Sequence, residues 1–397
     1  MKIVEPAREL SVKGSYDVLV IGAGVAGISA ALACARNGKS VCLVEREYIL
    51  GGLATAGIVA IYLPLCDGQG RQMIGGISEE LLKESVRYGS REIPSCWKEG
   101  GDPELRQKIR YKLRFDPPAF ACALDQLVAQ AGIHLMLGTT MSSAVKEGQE
   151  IRYCILENRE GRFAVSAKIF IDASGDAVLA WSAGENTAEF VRNRLAGWYY
   201  SYDGSEYRLN IVQESLKGPD EEVKCLYGGI STDDVTQFCL DSRQMLLQHA
   251  LQFSMDTTIT QIATIPQIRM TRRLKGTLEI DESDEGRVFQ DAVGCFGDWR
   301  KAGPHFTLPY SALVGETKNL LVAGRCISAS ESAGDIIRAI PVCALSGEAA
   351  GTAAALALDC GAQTVRSVPL DSLRLRLLQN NNILNWKVQG EKTNDKS

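Results

Sequence analysis

Val18-Leu19-Val20-Ile21-Gly22-Ala23-Gly24-Val25-Ala26-Gly27 is the stretch that decides the fold. A buried strand runs into a G-x-G-x-x-G turn, and a helix leaves it from about Val25 to Asn37. Gly22 permits the tight turn, Gly24 lets a pyrophosphate approach the backbone, and Gly27 lets helix and strand pack closely, with Ala26 beside it in the same cradle. The helix start offers free amides and a partial positive charge to phosphates. Ser40-Val41-Cys42-Leu43-Val44-Glu45 then reads as a second buried strand ending in an acid. Glu45 stands 18 residues after Gly27, where a carboxylate binds both ribose hydroxyls of an adenosine and repels a 2′-phosphate. Arg46 follows at the same rim.

Three further features favour FAD over NAD. Gly51-Gly52-Leu53-Ala54-Thr55 lies close behind Glu45, so Gly52 to Thr55 can pass beside the pyrophosphate and ribityl chain of a longer cofactor. Ile171-Asp172-Ala173-Ser174-Gly175-Asp176 places a second small-residue turn at a strand end, with Ala173 and Gly175 near the same crevice, and Met141 is assigned to that crevice as well. The chain returns late to the fold at Leu320-Leu321-Val322-Ala323-Gly324-Arg325. The helix Gly347-Glu348-Ala349-Ala350-Gly351 is then expected to open near Gly347, with its N-terminal end free for the flavin pyrimidine edge.

The 397 residues suffice for one large α/β domain plus a smaller one, and 45% hydrophobic residues supply a sizeable core. A net charge of −5 argues against a nucleic-acid partner. No window reaches about 18 uninterrupted apolar residues, so no membrane span is expected. The N-terminal stretch has no apolar signal-like region, and the 12 cysteines form no C-x-x-C pair. Reduced buried thiols in a cytoplasmic protein are expected, with no metal site. The nucleotide domain is drawn as residues 1–57, 116–184 and 307–397. The interrupting stretches 58–115 and 185–306 read as an inserted α+β substrate domain with an antiparallel sheet. The polar tail from Lys387 to Ser397 is expected to fray.

On these segments the chain resembles the glutathione-reductase-type FAD fold, within the bacterial FAD-dependent oxidoreductase family related to fumarate reductase flavoproteins. The more specific match is Asn319 to Ser328 with Ile337-Arg338 and Gly347 to Thr352. The resemblance implies an α/β fold: a Rossmann-like FAD-binding domain built as a three-layer ββα sandwich, carrying the inserted domain. It also implies that Gly324 and Arg325 lie beside the pyrophosphate and ribityl chain, and that Ala339, Ile340 and Val342 run close to the isoalloxazine. Aromatic hydroxylases of this fold usually carry Gly-Asp where Gly324-Arg325 stands, which disfavours oxygen insertion. There is no C-x-x-x-x-C pair after the first glycine motif and no second G-x-G-x-x-G, so the electron donor or acceptor is external. No histidine lies between Gly51 and Asp116 to tether a flavin, so FAD is expected to be bound non-covalently.

The flavin carries the redox step, while the protein orients a small substrate and moves a proton. Of three histidines, His134 reads as a surface or adenine-side residue and His249 as structural. His305, at the junction where the insert rejoins the nucleotide domain, is a candidate for proton transfer or a plain loop residue. Arg338 lies between apolar pairs just before the flavin helix and needs an anionic partner: substrate, flavin, or Asp335 or Glu331 in a structural salt bridge. In Gln267 to Lys275, period two places Arg269, Arg273 and Lys275 on one face, and Arg272 with Met270 and Leu274 on the other. Arg272 is therefore the candidate to meet a substrate anion, against the simpler reading of a solvated strand with one salt bridge. Trp198-Tyr199-Tyr200 with Tyr202 suits either a pocket lining or core. The expected activity is dehydrogenation or reduction of a small oxygenated or anionic molecule. An electron-transferring flavoprotein subunit or assembly partner is the alternative, and RNA modification is disfavoured by the acidic charge.

Overall fold

The structure is a computed structural model, and it describes residues 3–190, 192–213, 227–253 and 257–386. The tail 387–397 lies outside the described residues.

The main sheet has seven strands: β1 (Val12–Ile21), β2 (Val41–Val44), β3 (His134–Met136), β4 (Thr140–Glu147), β5 (Glu150–Asn158), β6 (Gly161–Asp172) and β7 (Leu320–Val322). Val18 to Ile21 and all of β2 are buried on both faces, as strands inside a parallel sheet must be. β1 pairs in parallel with β2 on one side and β6 on the other; β3 continues beyond β2, and β7 lies along the end of β6. The length of β6 gives it two functions. Its first half closes an antiparallel meander with β5 and β4, while its second half belongs to the parallel sheet. All of β1, β2, β6 and β7 therefore end at one edge, the usual crevice for a ligand in an open α/β sheet.

Helix α1 (Val25–Arg36) packs against a long helix, α2 (Ile340–Asp359). Contact is close because glycines face α1: a Cβ on Gly347 would sit 2.1 Å from the Ala26 carbonyl oxygen, and one on Gly351 2.3 Å from that of Ala30. This corrects the expectation that the helix opens near Gly347. It opens at Ile340, with Ala339 as its N-cap, and Gly347 lies mid-helix as a packing residue. By length and composition α2 passes for a membrane span, yet its apolar window is wholly buried inside the protein.

The interrupting stretches carry the antiparallel sheet that their composition suggested, in the order Tyr207–Asn210, Tyr199–Tyr202, Thr258–Ile262. The helix Thr232–Ala250 accompanies it, over a small separate core of Leu195, Tyr227, Phe238 and Ile268. A hairpin of Ala292–Gly297 with His305–Pro309 packs behind α2, where Gly294 meets Leu345. The described cysteines are free thiols, most of them buried.

Candidate functional site

The glycine turn is built by exclusion. Gly22 has φ +95°, and a Cβ there would lie 2.6 Å from the Ala173 carbonyl oxygen, so the turn closes directly onto the end of β6. A Cβ on Gly27 would come within 1.8 Å of the Gly22 carbonyl oxygen, which makes Gly27 a packing residue behind the turn. Gly24 is different: nothing in the protein lies within 4 Å of its missing side chain. That open space stands at the N-terminus of α1, whose first amides have no intrahelical partner.

Glu45, at the end of β2, is buried. Its carboxylate accepts the Ala23 N–H at 2.7 Å and the Glu47 N–H at 2.9 Å. Burial pushes the carboxyl up, and these amide bonds oppose the shift. Gly51 donates its N–H to the Ala23 carbonyl at 2.9 Å, which brings the second glycine pair alongside the first. On the other wall, Asp172 is fully buried and accepts the N–H groups of Ser174 at 3.0 Å and Ala180 at 2.8 Å. It thereby fixes the turn that presents Ala173 and Gly175.

These groups converge on one cleft, open to solvent. Gly22, Gly24, Ala26, Glu45, Arg46, Gly52, Leu53 and Ala54 line one part of it. Met141, Ala173, Gly175, Gly324, Arg325, Arg338 and Ile340 line the rest. Gly27, Thr55, Ala339 and Val342 stand behind that lining: the Thr55 hydroxyl bonds the Leu50 carbonyl, Ala339 caps α2, and Val342 is buried. Thr139, Thr140, Val178, Ile265 and Cys343 also line the cleft and escaped the sequence reading, because no motif marks them, and Ser174 joins them from the small-residue turn. The Thr139 N–H bonds the Glu45 carbonyl at 2.9 Å, a cross-strand contact that only the sheet order creates.

Arginines gather at the end of the cleft near α2. Arg325 bonds the Gly175 carbonyl at 2.7 Å, the Ile268 carbonyl at 2.9 Å and Asp176 at 2.8 Å, so it clamps three segments of the wall together. Arg338 caps the helix Glu331–Ile337 and donates through Nε to Asp335 at 2.9 Å, with Nη2 on the same oxygen. The salt bridge to Asp335 is thus made, and its cation faces the cleft.

Two candidates fall elsewhere. His305 bonds the Gly303 carbonyl at 3.0 Å and packs its ring against Trp386, because its strand is half of the hairpin behind α2. Arg272 pairs across strands with Glu189 at 3.3 Å and lies over Trp181, outside the cleft lining. The period-two reading fails because only Arg272–Leu274 is strand. The segment before it is irregular, pinned by Gln267, whose side chain bonds the Trp198 N–H at 2.8 Å and the Gly57 carbonyl at 2.7 Å. Arg269 consequently leaves the face assigned to it. It lies over the Trp198 ring, close enough for Arg338 and Arg325 to act on its charge. His134 is exposed and bonds the Tyr16 hydroxyl, and His249 bonds the Tyr199 hydroxyl at 2.9 Å.

The donor set suits the adenosine and pyrophosphate of a dinucleotide: a buried carboxylate at the β2 end and open space at Gly24 over helix amides. Several known proteins are similar to this chain. An uncharacterised protein in the nifH2 5′ region of Methanosarcina barkeri is 30% identical over 190 residues, covering 43% of this chain and 89% of that protein. A vinyl phenol reductase of Lactiplantibacillus plantarum is 41% identical over 76 residues, 19% of this chain and 15% of that one. A digeranylgeranylglycerophospholipid reductase of Methanoculleus marisnigri is 26% identical over 197 residues, 46% of this chain and 45% of that one. The chain thus spans less than half of either reductase. The solved structure of a geranylgeranyl bacteriochlorophyll reductase-like protein from Thermoplasma acidophilum is similar over 93% of this chain and 84% of that one, with 14% identity and a TM-score of 0.48. A family profile matches residues 17–193 and 202–377, well over half of the chain, and by that match the protein belongs to the FAD dependent oxidoreductase family: it is an enzyme with FAD as its cofactor.

Proposed function

We propose that this enzyme moves a hydride between non-covalently held FAD and a small oxygenated or anionic organic molecule, with an external donor or acceptor completing the cycle. The observation that carries the reading is the extent of one cleft, which runs from Glu45 and Gly24 to Arg338 and Ile340. FAD, when bound, supplies hydride transfer at its N5 atom.

The chain's own residues divide the remaining work. With FAD bound, Glu45 would take the ribose hydroxyls, the open face of Gly24 and the first amides of α1 would receive the pyrophosphate, and Ile340, at the start of α2, would border the ring system. Of the interrupting stretches, Ile265 reaches the cleft lining, while the hairpin Ala292–Gly297 with His305–Pro309 lies behind α2. No histidine lines the cleft among the described residues. Burial pushes the Cys343 thiol up to about 12, so it stays neutral and is no nucleophile at ordinary pH. Arg338 is the cation that stabilises negative charge developing at the reacting end, held in position by Asp335.

Arg338→Ala tests this. The expected variant keeps FAD and loses most substrate-dependent flavin reduction or reoxidation, and Arg338→Lys restores only part of it, because an ammonium lacks the planar fork. Turnover is normalised to FAD content and set beside thermal stability. Normal turnover per flavin in a destabilised Arg338→Ala protein overturns the assignment. The substrate class is tested by anaerobic bleaching of the flavin with metabolite pools and reduced nicotinamides.

A further inference from the structure

We propose that Arg269, which lies behind the cleft lining on the segment that Arg325 ties to the Arg338 end, is the receptor for a carboxylate of the substrate. The proposal deepens the functional reading above and rests on it for the location of the substrate.

The charges in this corner do not balance. Arg325 is engaged by Asp176 and two carbonyls, and Arg338 by Asp335, which also faces Arg300 at 3.9 Å. Two acids thus meet cations already in place, and Arg269 is left over. Its Nη1 is buried with no hydrogen-bond partner among the described residues. Burial, together with the Arg338 and Arg325 cations, pushes its guanidinium down to about 9, against a smaller opposing pull from Asp335. The group remains protonated at neutral pH, but it is held in a site that disfavours its charge. The side chain as a whole is half-buried, so an anion from outside can reach the guanidinium, and the buried, unpaired Nη1 favours one that does.

The surroundings are arranged to hold that guanidinium in place. Its guanidinium carbon lies over the Trp198 ring, 5.2 Å from the ring centroid. Gln267 ties the Trp198 backbone to the segment that carries Arg269, and Arg325 anchors the adjoining Ile268 carbonyl. A guanidinium fixed in this way presents a planar fork, which suits the two oxygens of a carboxylate. Arg194, exposed on the same side and within electrostatic reach of Arg338 and Asp335, adds positive potential at the approach.

The test is titration of the FAD-loaded enzyme with benzoate, succinate and inorganic phosphate, followed by the flavin difference spectrum. A saturable change with a carboxylate is expected. Arg269→Met weakens it by about 10–100-fold at unchanged FAD content, the loss of a charged hydrogen-bonded contact. Asp335→Asn leaves Arg338 unpaired beside Arg269, and it tightens carboxylate binding by about 3–10-fold. The proposal is overturned by any of four results: no carboxylate perturbs the spectrum, Arg269→Met binds as the parent does, Asp335→Asn leaves affinity unaltered, or phosphate binds more tightly than either carboxylate. If Arg269→Met loses FAD, Asp335→Asn alone decides. Failure of the functional reading looks different: Arg338→Ala then turns over normally while Arg269→Met still loses carboxylate binding.

Discussion

The glycine turn Gly22–Gly27 lines the cleft, the basic segment Gln267–Leu274 backs its wall through Arg325 and Asp176, and the two were built on opposite principles. In the first, each residue's part follows from its own missing side chain: Gly22 turns, Gly24 opens, Gly27 packs. In the second, three arginines are sorted by partners distant in sequence. Arg272 goes to Glu189 and Trp181, Arg273 over Phe190, and Arg269 over Trp198. Steric demand within a short loop is local, whereas the placement of a long flexible cation depends on whichever acid or ring the fold brings near.

Substitutions can break this division. The largest effect is expected at Gly27. Gly27→Val drives a side chain into the Gly22 carbonyl and costs about 3 kcal/mol or more, seen as a lowered Tm and a colourless protein. Gly24→Ala has open space, so the FAD-free protein keeps its Tm while FAD affinity falls. Equal loss of Tm in both variants would show that the turn has no such division of labour.

Next is Glu348 on α2, fully buried, bonded to the Ile77 N–H at 2.7 Å and pushed up by burial to about 7. Its folded-state pKa exceeds the unfolded value, so its contribution is present below pH of about 4.5 and is lost as pH rises through about 7. Glu348→Gln is therefore expected to gain on the parent by on the order of 3 kcal/mol between those limits. Denaturation at pH 5 and pH 8 measures it, and an unchanged gap between the two proteins would refute it.

A smaller effect belongs to Glu45. Glu45→Ala removes a charged acceptor for the ribose and weakens FAD binding by about 1.5–3 kcal/mol. Unchanged FAD affinity would remove Glu45 from the cradle. The smallest belongs to Arg272. Arg272→Ala gives up a contact with a half-exposed acid and an exposed ring, worth about 1 kcal/mol at most, and turnover per flavin stays at the parent level. A loss of turnover there would restore Arg272 to the site and erase the contrast with Arg269.

The elements that frame the Glu45 end of the cleft were open to reading from the chain alone. Alternation, glycine spacing and an acid at a strand end are short-range signals, and β1, α1, β2 and the late-returning β7 stand where those signals put them. The start of α2 was misplaced because Gly347 and Gly351 look like a helix opening in sequence; tertiary contact with α1 makes them packing positions, where only glycine admits the facing carbonyls. His305 was misplaced because a junction in sequence turned out to be a hairpin behind α2. The Arg338 end of the cleft lay beyond the sequence for the same reason: Asp335, Asp176, Trp198 and Arg269 come from four separate segments, and which cation keeps an unpaired atom is decided only when those segments meet. Backbone sterics act over a few residues and are written in order along the chain, whereas charge pairing acts through space and follows the fold.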